Sequence, residues 1–499
     1  MERLHDACGV VGIYAQNNAE ELDVRRYLTL ALTALQHRGQ ESAGMAVYDG
    51  NGQIAHRVAM GKVRDIFQDS GTSLPPTRCG IGHVRYSTTG SSCVENAGPF
   101  VVGGKAGQYE AIAVAHNGDL VNGRTLREGF PQNTLSSTTD SEVMAHLLLH
   151  AEGQTLRERM IATFPLLRGS YSLVILAEGK IYAMRDPWGM RPLCIGRIGN
   201  NWIVASESCA LDRLGAIFVR DVEPGELITI DEQGVHAEML VKVPRQALCV
   251  FEYIYFSDAT SQLSKRHVYL VREALGRELA KEHPVEADMV VPVPDSSIPA
   301  AAGYAAAAGI PYGHAIIKNR YSDRTFIKPD QRLRQLEVDL KFNLVQPKIE
   351  GARLVIVDDS IVRGNTMKRL VSALRHRGVK EIHLRSSSPP LRHPCYFGID
   401  IPREEELVAA GRSIQEVADY IGVDSLGYLS LPGLGRALNS VGRDIPADLD
   451  DETAQQMLHN EFCYGCMVQS GWPFDPIEAA GYGAQLIRTV TRNPAVKGQ

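Results

Sequence analysis

The sequence predicts two unlike units in one chain: stacked sheets covered by helices as far as about residue 243, then a doubly wound parallel α/β unit. Three observations carry this. The chain has 499 residues, more than a single hydrophobic core organises, because domains run about 100 to 200 residues. From Gly9 to about Val243, short apolar segments are divided by Gly, Asn and Asp turns, the pattern of strands in large sheets. From about His267 the texture changes to alternating helices and strands, which favours a parallel sheet.

In the first unit 111–115, 173–177 and 202–205 read as strands. Residues 22–36 and 141–150 carry apolar positions at helical spacing, the second behind Thr139-Asp140, a good capping start. In the second unit helices are predicted at 267–282, 298–308 and 366–377, and strands at 289–292 and 354–357. Past about Asn439 the chain is polar and then Gly-rich, with no clear further core, and it reads as a tail that wraps or caps the second unit. The expected division is 1–7, 8–243, 244–438 and 439–499.

Composition narrows the function classes. Apolar residues at 44% and charged residues at 22% are ordinary for a globular protein. A net charge of -6 leaves no polybasic footprint, so nucleic acid is not an expected partner. No run approaches the roughly 18 apolar residues of a membrane span, and residues 1–7 lack an apolar signal core. A cytoplasmic protein with no membrane partner is expected. In that reducing compartment nine cysteines point to catalysis or metal binding more than to disulfides.

The strongest local signal is the apolar run Leu354-Val355-Ile356-Val357, then Asp358-Asp359, then Ser360-Ile361-Val362-Arg363-Gly364-Asn365-Thr366 opening a helix. Ligands sit beyond the carboxyl ends of parallel strands, and backbone N–H groups at a helix start attract phosphate. Two carboxylates repel phosphate but suit sugar hydroxyls and a Mg²⁺ ion. An acidic helix start stabilised by the helix dipole would also explain the pair. These thirteen residues resemble the signature of the type I phosphoribosyltransferases, a doubly wound α/β family. The resemblance implies phosphoribosyl pyrophosphate as ligand, with Asp358 and Asp359 at the ribose hydroxyls and Mg²⁺, and Ser360, Arg363, Gly364 and Thr366 around the 5-phosphate. Asn365 stands where the family often has Thr. Val293-Pro294-Asp295-Ser296-Ser297 resembles the family's pyrophosphate loop, with Ser296 a metal or pyrophosphate contact, although a simple Pro-Asp turn would look the same. Lys318, Arg320, Arg324, Lys328, Arg332 and Arg334 resemble the loop that closes over pyrophosphate, where a solvated charged face is the plainer alternative.

In the first unit Ala7-Cys8-Gly9 is followed by Gln36-His37-Arg38-Gly39-Gln40, Gly82-His83-Val84-Arg85-Tyr86-Ser87-Thr88, His116-Asn117-Gly118-Asp119 and Thr139-Asp140-Ser141-Glu142. In this order they resemble the class II glutamine amidotransferases, which have the α+β N-terminal-nucleophile fold of stacked β-sheets between helices. The resemblance implies that residues 1–7 are a propeptide and that mature Cys8 is the nucleophile. An α-amine with a pKa near 7.7 to 8.0 can take a thiol proton near neutrality. It further implies Asn117 and Gly118 as oxyanion hole, Arg85 on the glutamine carboxylate, Asp140 on its ammonium and Gly39 as a backbone contact. Ordinary surface ions remain the alternative for Arg85 and Asp140.

Cys463-Tyr464-Gly465-Cys466 could be a zinc site, a redox pair or inert. With Cys249 and Cys395, and with the segment before Cys8, it resembles the Bacillus-type amidophosphoribosyltransferases. That resemblance implies a structural 4Fe-4S cluster on Cys249, Cys395, Cys463 and Cys466, although four thiolates suit zinc as well. Cys79, Cys93, Cys194 and Cys209 read as packing residues. The family implies hydrolysis of glutamine to glutamate and transfer of the ammonia to phosphoribosyl pyrophosphate. The products are 5-phosphoribosylamine and pyrophosphate, at the first committed step of purine synthesis. It also implies a homotetramer inhibited by AMP, ADP, GMP or GDP. The alternative is a catalytically silent sensor of phosphoribosyl pyrophosphate or nucleotides.

Overall fold

The computed structural model describes residues 8–16, 22–67, 74–86, 92–103, 111–131, 133–319, 342–401, 403–443 and 449–482. Residues 1–7, Ser87, Thr88, and the cations Arg320, Arg324, Lys328, Arg332 and Arg334 lie outside the described residues.

Two antiparallel sheets make the amino-terminal half. The first has seven strands in the order Ile217–Asp221, Cys194–Ile198, Asn201–Ala205, Gly9–Tyr14, Cys79–Arg85, Ser42–Tyr48 and Ile54–Met60. The second has six, in the order Gly234–Met239, Glu226–Asp231, Lys180–Arg185, Gly169–Ala177, Ile112–Leu120 and Phe100–Val102. Alternate residues of each sheet meet between them: Val10, Ala46 and Ile81 pack on Ala113, Val174 and Ile228. The opposite faces are covered by helices. Leu28, Ala31 and Leu32 of Val24–Ala34 pack on Val11, Ile13 and Val84, and Val143, Met144 and Leu147 of Asp140–His150 pack on Ile112, Val114 and Leu173. Burial on both faces explains why the central strands are apolar almost throughout.

The carboxy-terminal half is built on four parallel strands in sequence order, Met289–Pro292, Arg353–Asp358, Glu381–Ser386 and Ser425–Tyr428. Val290, Val355 and Val357 face the helices Val268–Glu282, Ile298–Ala308 and Leu431–Asn439. Val291, Leu354 and Ile356 face Asn365–His376 and Ile414–Ile421. The predicted strands and helices match these elements to within a residue or two. Beyond residue 439, where the sequence shows no clear core, the helix Asp451–Glu461 buries Ala454 and Leu458. Leu458, Phe462, Tyr464 and Met467 join the same core as Val268 and Leu434. Its end also reaches the sandwich: Thr125 and Asn122 donate to the carbonyls of Ala480 and Tyr482. The segment is thus a structural part of both halves, not a cap on one. Only two apolar residues of that helix are buried, too few to mark it by periodicity.

Candidate active sites

Cys8 immediately precedes the strand Gly9–Tyr14 and is half-buried. Its Sγ lies 3.8 Å from the Tyr86 carbonyl, and its own carbonyl accepts from Arg38 Nε at 3.0 Å. Burial pushes the thiol pKa up; Arg85 pulls it down, Asp140 pushes it up and Arg38 pulls it down. Arg85 ends the strand Cys79–Arg85, paired with Gly9–Tyr14 in the register Gly9 to Val84, and is 5% exposed. Gly39 crosses the Arg85 backbone so closely that a Cβ would fall 2.6 Å from the Arg85 carbonyl carbon. Any larger residue would push the two segments apart.

Asp140 opens the helix Asp140–His150, capped by Thr139 accepting from the Glu142 amide. Its carboxylate accepts from Leu120 N at 2.8 Å and lies 3.6 Å from His116 Nδ1. Burial works to raise its pKa, but His116 and the backbone donors outweigh burial and hold it below the usual range. Arg85 and Asp140 are both buried, so neither is an ordinary surface ion. Between His116 and Leu120, on the strand Ile112–Leu120, lie Asn117 and Gly118. Asn117 is fully buried, and neither end of its amide has a hydrogen-bond partner among the described residues. Leaving such a group unpaired costs about 1–3 kcal/mol, a cost that a bound ligand would offset. Gly118 has φ +149°, and a Cβ there would stand 2.0 Å from the Ser170 carbonyl oxygen. The carboxy-terminal half reaches the neighbouring strand Gly169–Ala177: Ser170 Oγ donates to the Phe397 carbonyl at 2.8 Å.

Arg38 was legible as part of a motif but not as a site residue. It is enclosed by Glu207 and Glu252, and Glu252 lies in the stretch after Cys249. Long-range partners of this kind leave no local pattern. His83 is also buried; burial, Arg85 and His116 push its pKa down to about 3, so the ring is neutral.

In the other half Asp358 ends the central strand Arg353–Asp358, and Asp359, 5% exposed, follows it. Ser296 Oγ donates to the Asp359 carboxylate, and Ser360 Oγ does so at 2.7 Å. These carboxylates and hydroxyls form a set of hard oxygen donors of the kind Mg²⁺ takes. Gly364 caps the helix Asn365–His376 at φ +77°, a left-handed conformation that glycine adopts without strain. Asp358, Asp359, Ser360, Gly364, Thr366 and Tyr255 line one cavity. Arg363 Nε is held by Glu406 at 2.9 Å. Asn365 Oδ1 accepts from the Tyr420 hydroxyl at 2.6 Å, which gives its side chain a role in joining two helices. Lys318 Nζ meets Asp295 at 2.6 Å.

Cys249, Cys395, Cys463 and Cys466 line one cavity with Arg191 and Trp472. The strands Leu248–Cys249 and Phe462–Cys463 pair in parallel, placing Cys249 beside Cys463. The Cys466 carbonyl accepts from the Arg392 and His393 amides. Burial raises all four thiols, Cys463 to about 12, so thiolates there require a bound cation. Among the described residues the one trio of candidate ligand atoms within 4.8 Å of one another is His37, Glu207 and Cys209. The four sulfurs are therefore spread more widely than the roughly 3.8 Å separation of thiolates 2.3 Å from one zinc. Their arrangement around one cavity fits a metal group held by four thiolates. Cys79, Cys194 and Cys209 are buried, as packing residues should be, and Cys93 is half-buried.

The chain matches a family model described as a glutamine amidotransferase domain over residues 96–213 and one described as a phosphoribosyl transferase domain over 263–387. It is 47% identical to the amidophosphoribosyltransferase of Methanothermobacter thermautotrophicus, across 86% of this chain and 90% of that one. With the amidophosphoribosyltransferase of Bacillus subtilis the identity is 41%, across 91% and 93%. The chain belongs to the amidophosphoribosyltransferase family. A solved structure of glutamine phosphoribosylpyrophosphate amidotransferase from Bacillus subtilis, complexed with ADP and GMP, matches at a TM-score of 0.84 and 39% identity, covering 94% of this chain and 98% of that one. Amidophosphoribosyltransferase chemistry accounts for both halves: glutamine is hydrolysed to glutamate, and its nitrogen displaces pyrophosphate from phosphoribosyl pyrophosphate to give 5-phosphoribosylamine for purine biosynthesis. The sandwich is the glutaminase fold and the parallel sheet the phosphoribosyltransferase fold. Among the described residues no helix is long and apolar enough to cross a membrane.

Proposed function

We propose that residues 8–243 open glutamine at Cys8 and residues 244–438 receive the ammonia at 358–366, with 449–482 joining the two. Removal of 1–7 makes Cys8 the first residue, so that its α-amine takes the thiol proton and the thiolate attacks the glutamine side-chain carbonyl. Asn117 and the Gly118 amide donate to the oxyanion, Arg85 pairs with the carboxylate, Asp140 with the ammonium, and Gly39 adds a backbone contact. Collapse of the intermediate releases ammonia, and water frees glutamate from the thioester. Ammonia then attacks the anomeric carbon as pyrophosphate leaves. Asp358, Asp359 and Ser296 would hold Mg²⁺, which neutralises charge on the departing pyrophosphate. Ser360, Arg363, Gly364 and Thr366 cradle the 5-phosphate.

The observation that supports this most is the unpaired amide of Asn117 on the strand bonded to Asp140, with Asp140 and Arg85 acting on the Cys8 sulfur. Cys249, Cys395, Cys463 and Cys466 would hold a structural 4Fe-4S cluster that ties three distant segments. A cytoplasmic homotetramer inhibited by AMP, ADP, GMP or GDP completes the proposal; the Bacillus subtilis structure carries ADP and GMP. The test is the mass of the mature amino terminus together with pyrophosphate release driven by glutamine or by ammonium. An intact Met1 with full glutamine-driven activity would overturn the Cys8 assignment.

A further inference from the structure

The charges behind Cys8 come from both halves of the molecule. Arg38 is fully enclosed. While its Nε donates to the Cys8 carbonyl at 3.0 Å, Nη1 and Nη2 each meet one oxygen of Glu252 at 2.9 Å, and Nη1 also reaches Glu207. Glu252, 0% exposed, begins the single π-turn Glu252–Phe256, whose Tyr255 lines the phosphoribosyl cavity. Its other partners are Ser257 Oγ at 2.7 Å and Arg191 Nη1 at 3.4 Å. Glu207 is saturated in turn by His37 Nε2 at 2.8 Å, Ser261 Oγ at 2.7 Å and the Asp258 amide at 2.8 Å.

A dry, bidentate ion pair is a poor device for merely joining two halves, because apolar side chains of equal volume hold at least as well. It does something apolar contacts cannot: it fixes the plane of a guanidinium whose Nε–H then points in one direction. Here that direction is the carbonyl of the nucleophilic residue. We propose that Glu252, supplied by the phosphoribosyltransferase half, is a positioning residue for the glutaminase nucleophile, setting the Arg38 fork that holds the Cys8 backbone and hence its α-amine and thiol. The inference rests on Cys8 being the amino-terminal nucleophile. It makes the glutaminase site incomplete without the other half of the chain.

The charge of Glu252 adds a second signature. The charged groups acting on Cys8 are Arg85, Asp140 and Arg38, and Arg38 is offset by Glu252 and Glu207. Removing one anion leaves the Arg38 cation less compensated. The nearby α-ammonium then loses its proton more readily, and the acid limb of the glutamine profile moves to lower pH. A purely structural residue would change the active fraction and leave that limb in place.

The experiment uses the mature full chain and pyrophosphate release, with ammonium-driven turnover as the measure of folded enzyme. Glu252→Gln should lower glutamine-driven turnover on the order of tenfold or more, in kcat more than in KM, while ammonium-driven turnover stays within about twofold. Glu252→Asp keeps the charge but retracts it, and should lower glutamine turnover without moving the acid limb. If both members act as one unit, Arg38→Lys combined with Glu252→Gln should lose no more than the worse single variant. Parallel loss of both activities in both Glu252 variants, unchanged glutamine turnover in Glu252→Gln, or losses that multiply in the double variant would each overturn the proposal. Absence of glutamine-driven turnover in the mature parent would instead strike the Cys8 assignment on which it rests.

Discussion

At the proposed glutaminase site Cys8, Gly39, Arg85, Asn117 and Asp140 come from five separate segments, placed by strand pairing within two stacked antiparallel sheets and by the helix Asp140–His150. At the proposed phosphoribosyl site Asp358 to Thr366 come from one strand end, one loop and one helix start, with Ser296 added from the adjoining strand's loop. The first site depends on many long-range contacts; the second carries most of its geometry within nine consecutive residues. Damage to packing should therefore reach glutamine chemistry first, and the two half-reactions should be separable by substitution.

Cys8→Ala gives the largest expected effect on that separation. Glutamine-driven synthesis should fall by more than about 10³-fold, because the nucleophile of acyl transfer is gone, while ammonium-driven synthesis persists. Equal loss of both, measured as pyrophosphate release, would break the division of labour. The converse change, Asp358→Asn with Asp359→Asn, should lower ammonium-driven synthesis by about 10²-fold or more in a protein whose far-ultraviolet spectrum is unchanged. Ammonium kinetics like those of the parent would show that the pocket at 358–366 is not the site.

Cys463→Ser probes what holds the halves together. It should cut soluble yield more than it alters the chemistry of the folded fraction, since Cys463 lies on the strand paired with Leu248–Cys249. The purified parent should be brown and contain iron and sulfide, with activity falling as oxygen bleaches the colour. A colourless active protein with stoichiometric zinc would replace the cluster.

A smaller effect is expected from acid, again at the sandwich. The His83 pKa is near 3 when folded against about 6.5 when unfolded. Between those values the unfolded chain binds more protons, so stability falls as pH drops from about 6.5 toward 3. Glu207, whose carboxyl is also held below its ordinary value by His37 and Arg38 against the cost of burial, works in the same direction. Urea midpoints at several pH values should show this slope, and His83→Gln should flatten it; an unchanged slope would assign the acid sensitivity elsewhere. The smallest change is Tyr420→Phe, which removes the hydroxyl donating to Asn365. A loss of about 1 kcal/mol is expected, with phosphoribosyl pyrophosphate KM altered little. A large rise in KM would give Asn365 a direct part in phosphate binding.

Much of the fold was legible because apolar periodicity and turn residues respond to local rules. The helix beginning at Asp140 was announced by Thr139, and the strand at 289–292 by its apolar run. The segment after 439 shows no core in its sequence because helix Asp451–Glu461 buries only Ala454 and Leu458; its stability comes from what it packs against. The site residues followed motif resemblance more than local physics. Asn117 shows no sign in its own sequence of being buried and unpaired, and Asn365 could not be given a role until Tyr420 stood beside it.

The sequence by itself determined the contiguous chemistry: the paired carboxylates and glycine-opened helix of 358–366, the order of the glutaminase motifs, and the close-spaced pair Cys463 and Cys466. Tertiary structure alone decided which charges share an enclosed space. Arg38 lies thirty residues from Cys8, and Glu252 more than two hundred from Arg38. No spacing encodes that meeting, because the strength of a buried ion pair depends on distance and on the exclusion of water, and both are set by how the two halves pack.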